Sequence, residues 1–591
     1  MQSLHPFFQH QNDFQTIVDG VEEGLKEQLV AGLSGSARSV FISALYQEVQ
    51  KPVLVVTHNL FQAQKIYEDL NNLLDGSVYL YPVNELIASE IAVASPELKA
   101  QRIELLNRLC KEKRMMVVAP VAALRRLLPP KELWKSYQFS VTVGGNLELN
   151  EAVPHLISMG YERVSMVSAP GEFSVRGGIL DIYPLTEENP IRIELFDTEV
   201  DSIRTFNLED QRSIEMVQEV TIGPAEEFIL MDSHYENGVK KLEASLANSL
   251  KKLKKEEQKT LLMENISYDL EKLKNKQMDP EFVKYFSFFY DQPASLLDYF
   301  PANTLLILDE VSRLNEMADQ LEKEEAEWLT SLLEQGKIVH DAKISHKYHH
   351  LVHEKAFPKI YLSLFLRHVA HTNPQNVMNV SCKQMQNFHG QMHLLKSEVE
   401  RWIKSGYTII FLGANEERMK RLERVLGDYG IEVEISHHGR VLSNRSNILR
   451  GDLNTGFELP MSRLAVITEE ELFKKRVKRR QPKQKLSNAE RIKSYSELEV
   501  GDYVVHVNHG IGKYLGIETL EINGVHKDYL HIRYQGNDKL YVPVDQIDQV
   551  QKYVGSEGKE PKIYKLGGSE WKRVKKKVES SVQDIADDLI K

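Results

Sequence analysis

"AGLSGSARSVF" (31–41) decides how the first part of the chain is read. A phosphate-binding loop follows the pattern G-x-x-x-x-G-K-[ST] between a buried strand and a helix, where backbone N–H groups and a lysine cradle phosphate. Gly32 holds the first place and Ser39 the last, with Gly35 between them. Ala37 stands where the second glycine belongs, and Arg38 where the lysine belongs. An alanine forced to positive φ costs about 1–2 kcal/mol, and the planar guanidinium does not replace a compact ammonium. Losing about 3 kcal/mol across both changes would weaken binding about a hundredfold. The expectation is a strand–loop–helix whose phosphate chemistry has lapsed and which carries no catalytic residue.

The neighbouring sequence supports a strand–helix–strand setting. "SGSARSVFISALYQEV" has helical spacing, and "KPVLVVTH" is a β-branched run suited to a buried parallel strand. "DGSVYLYP" and "RMMVVAP" read as further strands around the helix "SPELKAQRIELLNRLCKE", with Ser95 as its candidate cap. In "LLILDEVSR", Asp309 and Glu310 end an apolar strand, where a nucleotide-binding fold carries its magnesium ligand and catalytic carboxylate. On their own they also suit an ordinary turn.

Between these halves the period changes. "FSVTVGG", "GEFSVRGGILDIYPL", "IRIELFDTEVDSIRTFN" and "QEVTIGP" alternate with period two, so an antiparallel domain is inserted at 137–225. Domain 1 is thereby split into 1–136 and 226–352, the second half carrying the charged helices of 236–275. A second small α/β domain is expected at 353–473, from "KIYLSLF", "YTIIFLGAN" and "RLAVITEEELF". A basic linker spans 474–494, a compact β unit with Gly turns 495–555, and a helix capped by Ser569 fills 556–591. The fold class is multidomain α/β, and that last helix reads as cut rather than ended.

Bulk properties narrow the function. With 591 residues, 42% apolar and 27% charged, the chain is an ordinary multidomain globular protein. No apolar run reaches 18 residues, and the start lacks secretory features, so a cytoplasmic, non-membrane protein is expected. Cys110 and Cys382 alone make neither a disulfide framework nor a zinc site, and they read as buried thiols. Net charge is −11, but "KKRVKRRQPKQK" (474–485) holds eight basic residues in twelve and "WKRVKKK" (571–577) five in seven. Each fits a solvated face as well as contact with DNA phosphates. The histidines of "HKYHH" (346–350) with His353 lack a cysteine or clear acidic partner, so no metal is expected. His506 and His509 read as strand and turn residues.

Three segments carry a resemblance. "GYERVSMVSAPGEFSVRGGILDIYPLTEENPIRIELFDTEVDSIRTFN" (160–207) resembles the inserted domain shared by the repair helicase UvrB and the transcription-repair coupling factors. "PASLLDYFPANTLLILDE" (293–310) is similar to the UvrB segment before its acidic motif, and "GDYVVHVNHGIGKYLGIETLEI" with "KLYVPVDQIDQVQKYVG" to the CarD-like, Tudor-like β-barrel that contacts RNA polymerase in the coupling factors. That module order, with a degenerate loop in the first domain, resembles the N-terminal portion of the coupling factor family. Where UvrB inserts a tyrosine-rich hairpin, "NELIASEIAVASPELK" (84–99) is short and has no tyrosine.

The resemblance implies two partners, UvrA and the RNA polymerase β subunit. It places UvrA contacts on Arg176, Arg192 and Phe196, with Arg163 and Arg204 as weaker candidates. The residues themselves leave open that Phe196 is core and that the arginines pair with Glu194 or Asp181. It places the polymerase contact on "GIETLEI" (516–522), at Leu520 with Ile517 and Thr519, where Leu520 could equally be core. ATP and magnesium are implied only for the family's translocase motor, which also implies most of its DNA contact; this chain is expected to bind UvrA without activation. The alternatives are a UvrB-like ATPase, told apart by nucleotide binding, and a CarD-type transcription regulator, told apart by failure to bind UvrA.

Overall fold

The computed structural model describes residues 1–83, 96–473, 498–506, 509–522, 525–544, 550–552 and 563–564. They form two compact units, one within 1–473 and one within 498–564. The candidate cap Ser95, the basic linker, the run 571–577 and the closing helix lie outside the described residues, as does most of 84–99.

The first unit begins with β1 (Glu27–Ala31), β2 (Val53–Thr57), β3 (Val78–Leu80) and β4 (Met116–Pro120). The chain then leaves for β5 (Phe139–Thr142), β6 (Glu162–Arg163), β7 (Glu172–Arg176), β8 (Ile179–Ile182), β9 (Ile191–Phe196), β10 (Glu199–Phe206), β11 (Ser213–Val217) and β12 (Glu219–Ile222). It returns with β13 (Leu305–Asp309), β14 (Lys359–Ser363) and β15 (Asn376–Asn379). The first four and last three make one seven-stranded parallel sheet, ordered β15-β1-β14-β13-β2-β4-β3. Its central strands are buried along their whole length, which is why they read as unbroken apolar runs. The helices Ser36–Val49 and Leu60–Leu73 share a core with one set of its side chains, and the helix Pro96–Lys111 shares a core with the other. Asn59 starts the second of these helices by accepting from the Gln62 N–H at 2.8 Å.

One boundary differs from the sequence reading. "KIYLSLF" lies in the first sheet, as β14 between β1 and β13, so the first domain extends through β15 at Asn379. A buried parallel strand has the same pattern in either sheet, and only its neighbours decide.

The insert is a six-stranded sheet, β11-β10-β9-β8-β7-β6, with the helix Leu149–Ser158. Its Leu180, Ile182, Ile191 and Ile193 merge with the first domain's core, so it is not an independent bead. A hairpin of two helices, Asp232–Lys252 and Glu256–Lys274, follows and packs on Phe286 and Phe289. Gly238 is required there, because a Cβ would sit 2.2 Å from the Phe289 ring. The small α/β region holds β16 (Lys383–Gln384), β17 (Thr408–Gly413), β18 (Glu434–Ile435), β19 (Ser446–Arg450), β20 (Phe457–Leu459) and β21 (Leu464–Ile467). They form a mixed sheet, β16-β20-β21-β17-β19-β18, with its own core around Trp402 and Phe411.

The second unit is an antiparallel five-stranded sheet, β25-β24-β23-β22-β26. Its strands are β22 (Tyr503–His506), β23 (Gly510–Ile522), β24 (Val525–Arg533), β25 (Lys539–Pro543) and β26 (Val550–Lys552). Val504, Tyr514, Leu530, Ile532 and Val542 are its buried side chains. The register of β23 slips at Gly516, whose φ of +120° a side chain would oppose.

Candidate functional site

The loop after β1 is occupied by the protein's own groups. Gly32 has φ +97°, and a Cβ there would lie 2.0 Å from the Val380 carbonyl oxygen. Gly35, at φ +54°, precedes the first turn of the helix Ser36–Val49. Ala37 is helical and buried, so the strain anticipated for it is absent; the positive φ values fall on the two glycines. The Ser36 N–H donates to Thr455 Oγ1 at 3.1 Å, and the Ser36 and Ser39 hydroxyls donate to Asp69 at 2.8 and 3.1 Å. Arg38 reaches across the mouth of the sheet, with Nη1 2.7 Å from Asp309 and Nη2 2.7 Å from Glu310. Its Nε donates to the Leu33 carbonyl at 2.7 Å. Burial alone would lower the Arg38 pKa, but Asp309 and Glu310 outweigh it and hold the group above its ordinary value. The first helix N–H is therefore committed to Thr455, and the cation and both carboxylates to one another.

A second cluster covers one face of the inserted sheet. Cross-strand partners place Met216, Arg204, Arg192, Asp181 and Ser174 in one row across five strands. Glu194 and Phe196 follow on β9 with the same parity, while Ile191 and Ile193 face the core. Asp181 accepts from Arg192 Nε at 2.8 Å and Nη2 at 3.0 Å, and from Arg176 Nη2 at 3.3 Å. Arg192 also donates to Gln211 at 2.9 Å and lies 4.2 Å over the Phe206 ring, which makes it mostly buried. Both alternatives weighed from sequence are thus answered for side-chain placement. The arginines do pair locally, yet Phe196 is 79% exposed and is no part of the core. Arg204 pairs with Glu194 at 2.6 Å, and Arg163 is exposed on β6. Ile214 and Met216 on β11, both exposed, were not singled out from the sequence.

The third cluster is on β23. Beyond Gly516 the strand pairs with β24 alone among the described residues, since β22 reaches only as far as Lys513. Ile517 lies opposite the buried Leu530 and so faces inward, half-buried. Leu520 has the opposite parity, with Glu518 and Tyr529, and is half-buried outside that core. Thr519 is exposed and its hydroxyl bonds to Asp528.

Other candidates dissolve into structure. His346 Nε2 bonds the Ala294 carbonyl at 2.9 Å, His349 faces Asp319 at 3.3 Å, and no metal-binding group occurs among the described residues. The His506 and His509 rings lie 4.8 Å apart, tilted by 39°, at the end of β22. Cys110 and Cys382 are free and half-buried, and burial pushes the Cys110 thiol up.

Two of the three clusters lie within segments matched by known domain families. A UvrB interaction domain matches residues 139–228, and a CarD-like/TRCF RID domain matches 498–554. The chain is similar to the transcription-repair-coupling factor of Bacillus subtilis (strain 168), 64% identical over 593 residues, which is 100% of this chain and 50% of that protein. It is 40% identical to the factor of Staphylococcus haemolyticus over 602 residues, 99% of this chain and 50% of that one. To that of Staphylococcus epidermidis RP62A it is 40% identical over 582 residues, 96% and 48%. The chain spans about half the length of the curated relatives it matches.

Proposed function

Because the chain belongs to the transcription-repair-coupling factor family, we propose that it is the recruiting portion of such a factor, joining UvrA to an RNA polymerase stalled at a DNA lesion. The face bearing Phe196, within the matched UvrB interaction domain, is assigned to UvrA. The open edge of β23 with Leu520, within the matched CarD-like/TRCF RID domain, is assigned to the polymerase β subunit, by strand addition and side-chain docking together. ATP-driven translocation, with its magnesium, belongs on this reading to the length of the relatives that this chain does not span. The basic linker 474–494 is a candidate contact to DNA phosphates. No described helix is long and apolar enough to cross a membrane, and a cytoplasmic location fits the proposal.

The observation that carries this reading is the exposed Phe196 ring on the sheet face that also carries Arg176, residue types typical of interface hot spots. Titration calorimetry of the chain against UvrA tests it. Tight binding that is lost in a folded Phe196→Ala variant is expected, and absence of binding by the wild-type chain would reject the assignment.

A further inference from the structure

The Phe196 face does not stop at β9. It continues through β10 to β11, the edge of the six-stranded sheet, and β11 pairs with β10 alone among the described residues. Four of its five residues are exposed and the fifth is half-buried, leaving a row of backbone donors and acceptors open on one side. Natural edges are commonly guarded by lysine, proline or inward charges. "SIEMV" has no lysine or proline, and it presents Ile214 and Met216 at 53% and 60% exposure. Met216 lies directly opposite Arg204, itself opposite Arg192, so its side chain stands on the face that carries Phe196. Ile214, exposed on the same edge strand, falls where the register shifts between the Glu215–Thr205 and Ser213–Phe206 pairs.

Arg176, Arg192 and Arg204 share this face with Asp181, Glu194, Glu172 and with Glu199, which lies opposite Phe196, and Asp181 alone serves two guanidiniums. Arg176, with its side chain 46% exposed, is the one left with a single long bond and room for another acceptor. The face and its edge strand together offer an open strand edge, the exposed apolar side chains of Phe196, Met216 and Ile214, and one under-used guanidinium. An extended, apolar segment with a carboxylate fits all three.

We infer that the UvrA surface extends to β11, and that UvrA adds a strand to this edge, seating apolar side chains on Ile214 and Met216 while a carboxylate meets Arg176. The inference rests on the assignment of UvrA to the Phe196 face. Its structural basis is the continuity of that face with an edge that is unpaired among the described residues, and the exposed guanidinium of Arg176 on it.

Calorimetry of Ile214→Glu and Met216→Glu variants against UvrA, beside wild type and Phe196→Ala, separates the two readings. Both substituted residues are exposed, so folded variants are expected, and unchanged melting checks this. At least tenfold weaker binding by each, with slowed amide hydrogen exchange at 213–217 in the wild-type complex, is the expected result. Wild-type affinity in both variants, with Phe196→Ala still impaired, would overturn the extension and leave the assignment standing. Unchanged exchange at 213–217 would overturn strand addition. No binding by wild type would remove the assignment itself. A chain that is dimeric alone and becomes monomeric in Met216→Glu would give the edge to a second copy and overturn the inference.

Discussion

Truncating Arg38 would leave Asp309 buried with its guanidinium partner gone, and Glu310 nearly so. Breaking a buried ion pair from one side costs about 3–5 kcal/mol, because the surviving charge keeps its desolvation penalty. Arg38→Ala is therefore expected to lower the urea midpoint of the first unit substantially. An unchanged midpoint would mean the pair contributes nothing beyond its own desolvation. Phe196→Ala should behave in the opposite manner. Its ring touches no core, so stability should stay within about 0.5 kcal/mol. Its loss from an interface centre should cost about 2 kcal/mol in UvrA affinity, roughly thirtyfold. These residues also mark what sequence can deliver. The departure from the phosphate-loop pattern was legible at Ala37 and Arg38, since the pattern names residue types. That Arg38 fills the gap was not, because its partners lie 271 and 272 residues away.

At the scale of elements, a buried carboxylate adds to the shared apolar core where the chain leaves the insert. Glu227 follows β12 and is gripped by Arg102, on the helix Pro96–Lys111, and by Arg126. Burial alone would raise its pKa, but the two guanidiniums outweigh it and hold the carboxyl below the ordinary glutamate value. A depressed folded-state pKa stabilises above the unfolded value, about 4.3, and that stability is lost as pH falls through the folded value. Glu227→Gln should thus cost about 3 kcal/mol near neutrality. The difference in melting temperature from wild type should shrink below about pH 4. A constant difference down to pH 3 would exclude the linkage. Strands such as β2 and β13 were readable because complete burial on both faces leaves unbroken apolar runs. The membership of β14 in the first sheet and the exposure of β11 were not, since period and composition carry no information about neighbours. In "SIEMV" the alternation is genuine, but the face it marks meets solvent.

Across the whole molecule, the two proposed docking surfaces belong to separate compact units. Sites without common partners contribute independently, usually within about 0.5 kcal/mol. A charge at Leu520 should oppose an apolar seat on the polymerase, yet Leu520 lies outside the buried set formed by Leu530 and Ile532. Leu520→Arg is accordingly expected to weaken polymerase binding at least tenfold, about 1.4 kcal/mol, and to leave UvrA affinity unchanged. Phe196→Ala should do the reverse, and the double variant should show each loss at its single-variant size. Binding of both partners to the four proteins, measured separately and then together, checks this. If Leu520→Arg altered UvrA affinity, or if saturating polymerase changed the UvrA constant, the sites would be coupled, and linkage requires that UvrA then shift polymerase binding by the same factor. Equal constants with and without the other partner would instead make the chain a passive tether, whose effect on repair arises from raising the local concentration of UvrA beside the polymerase.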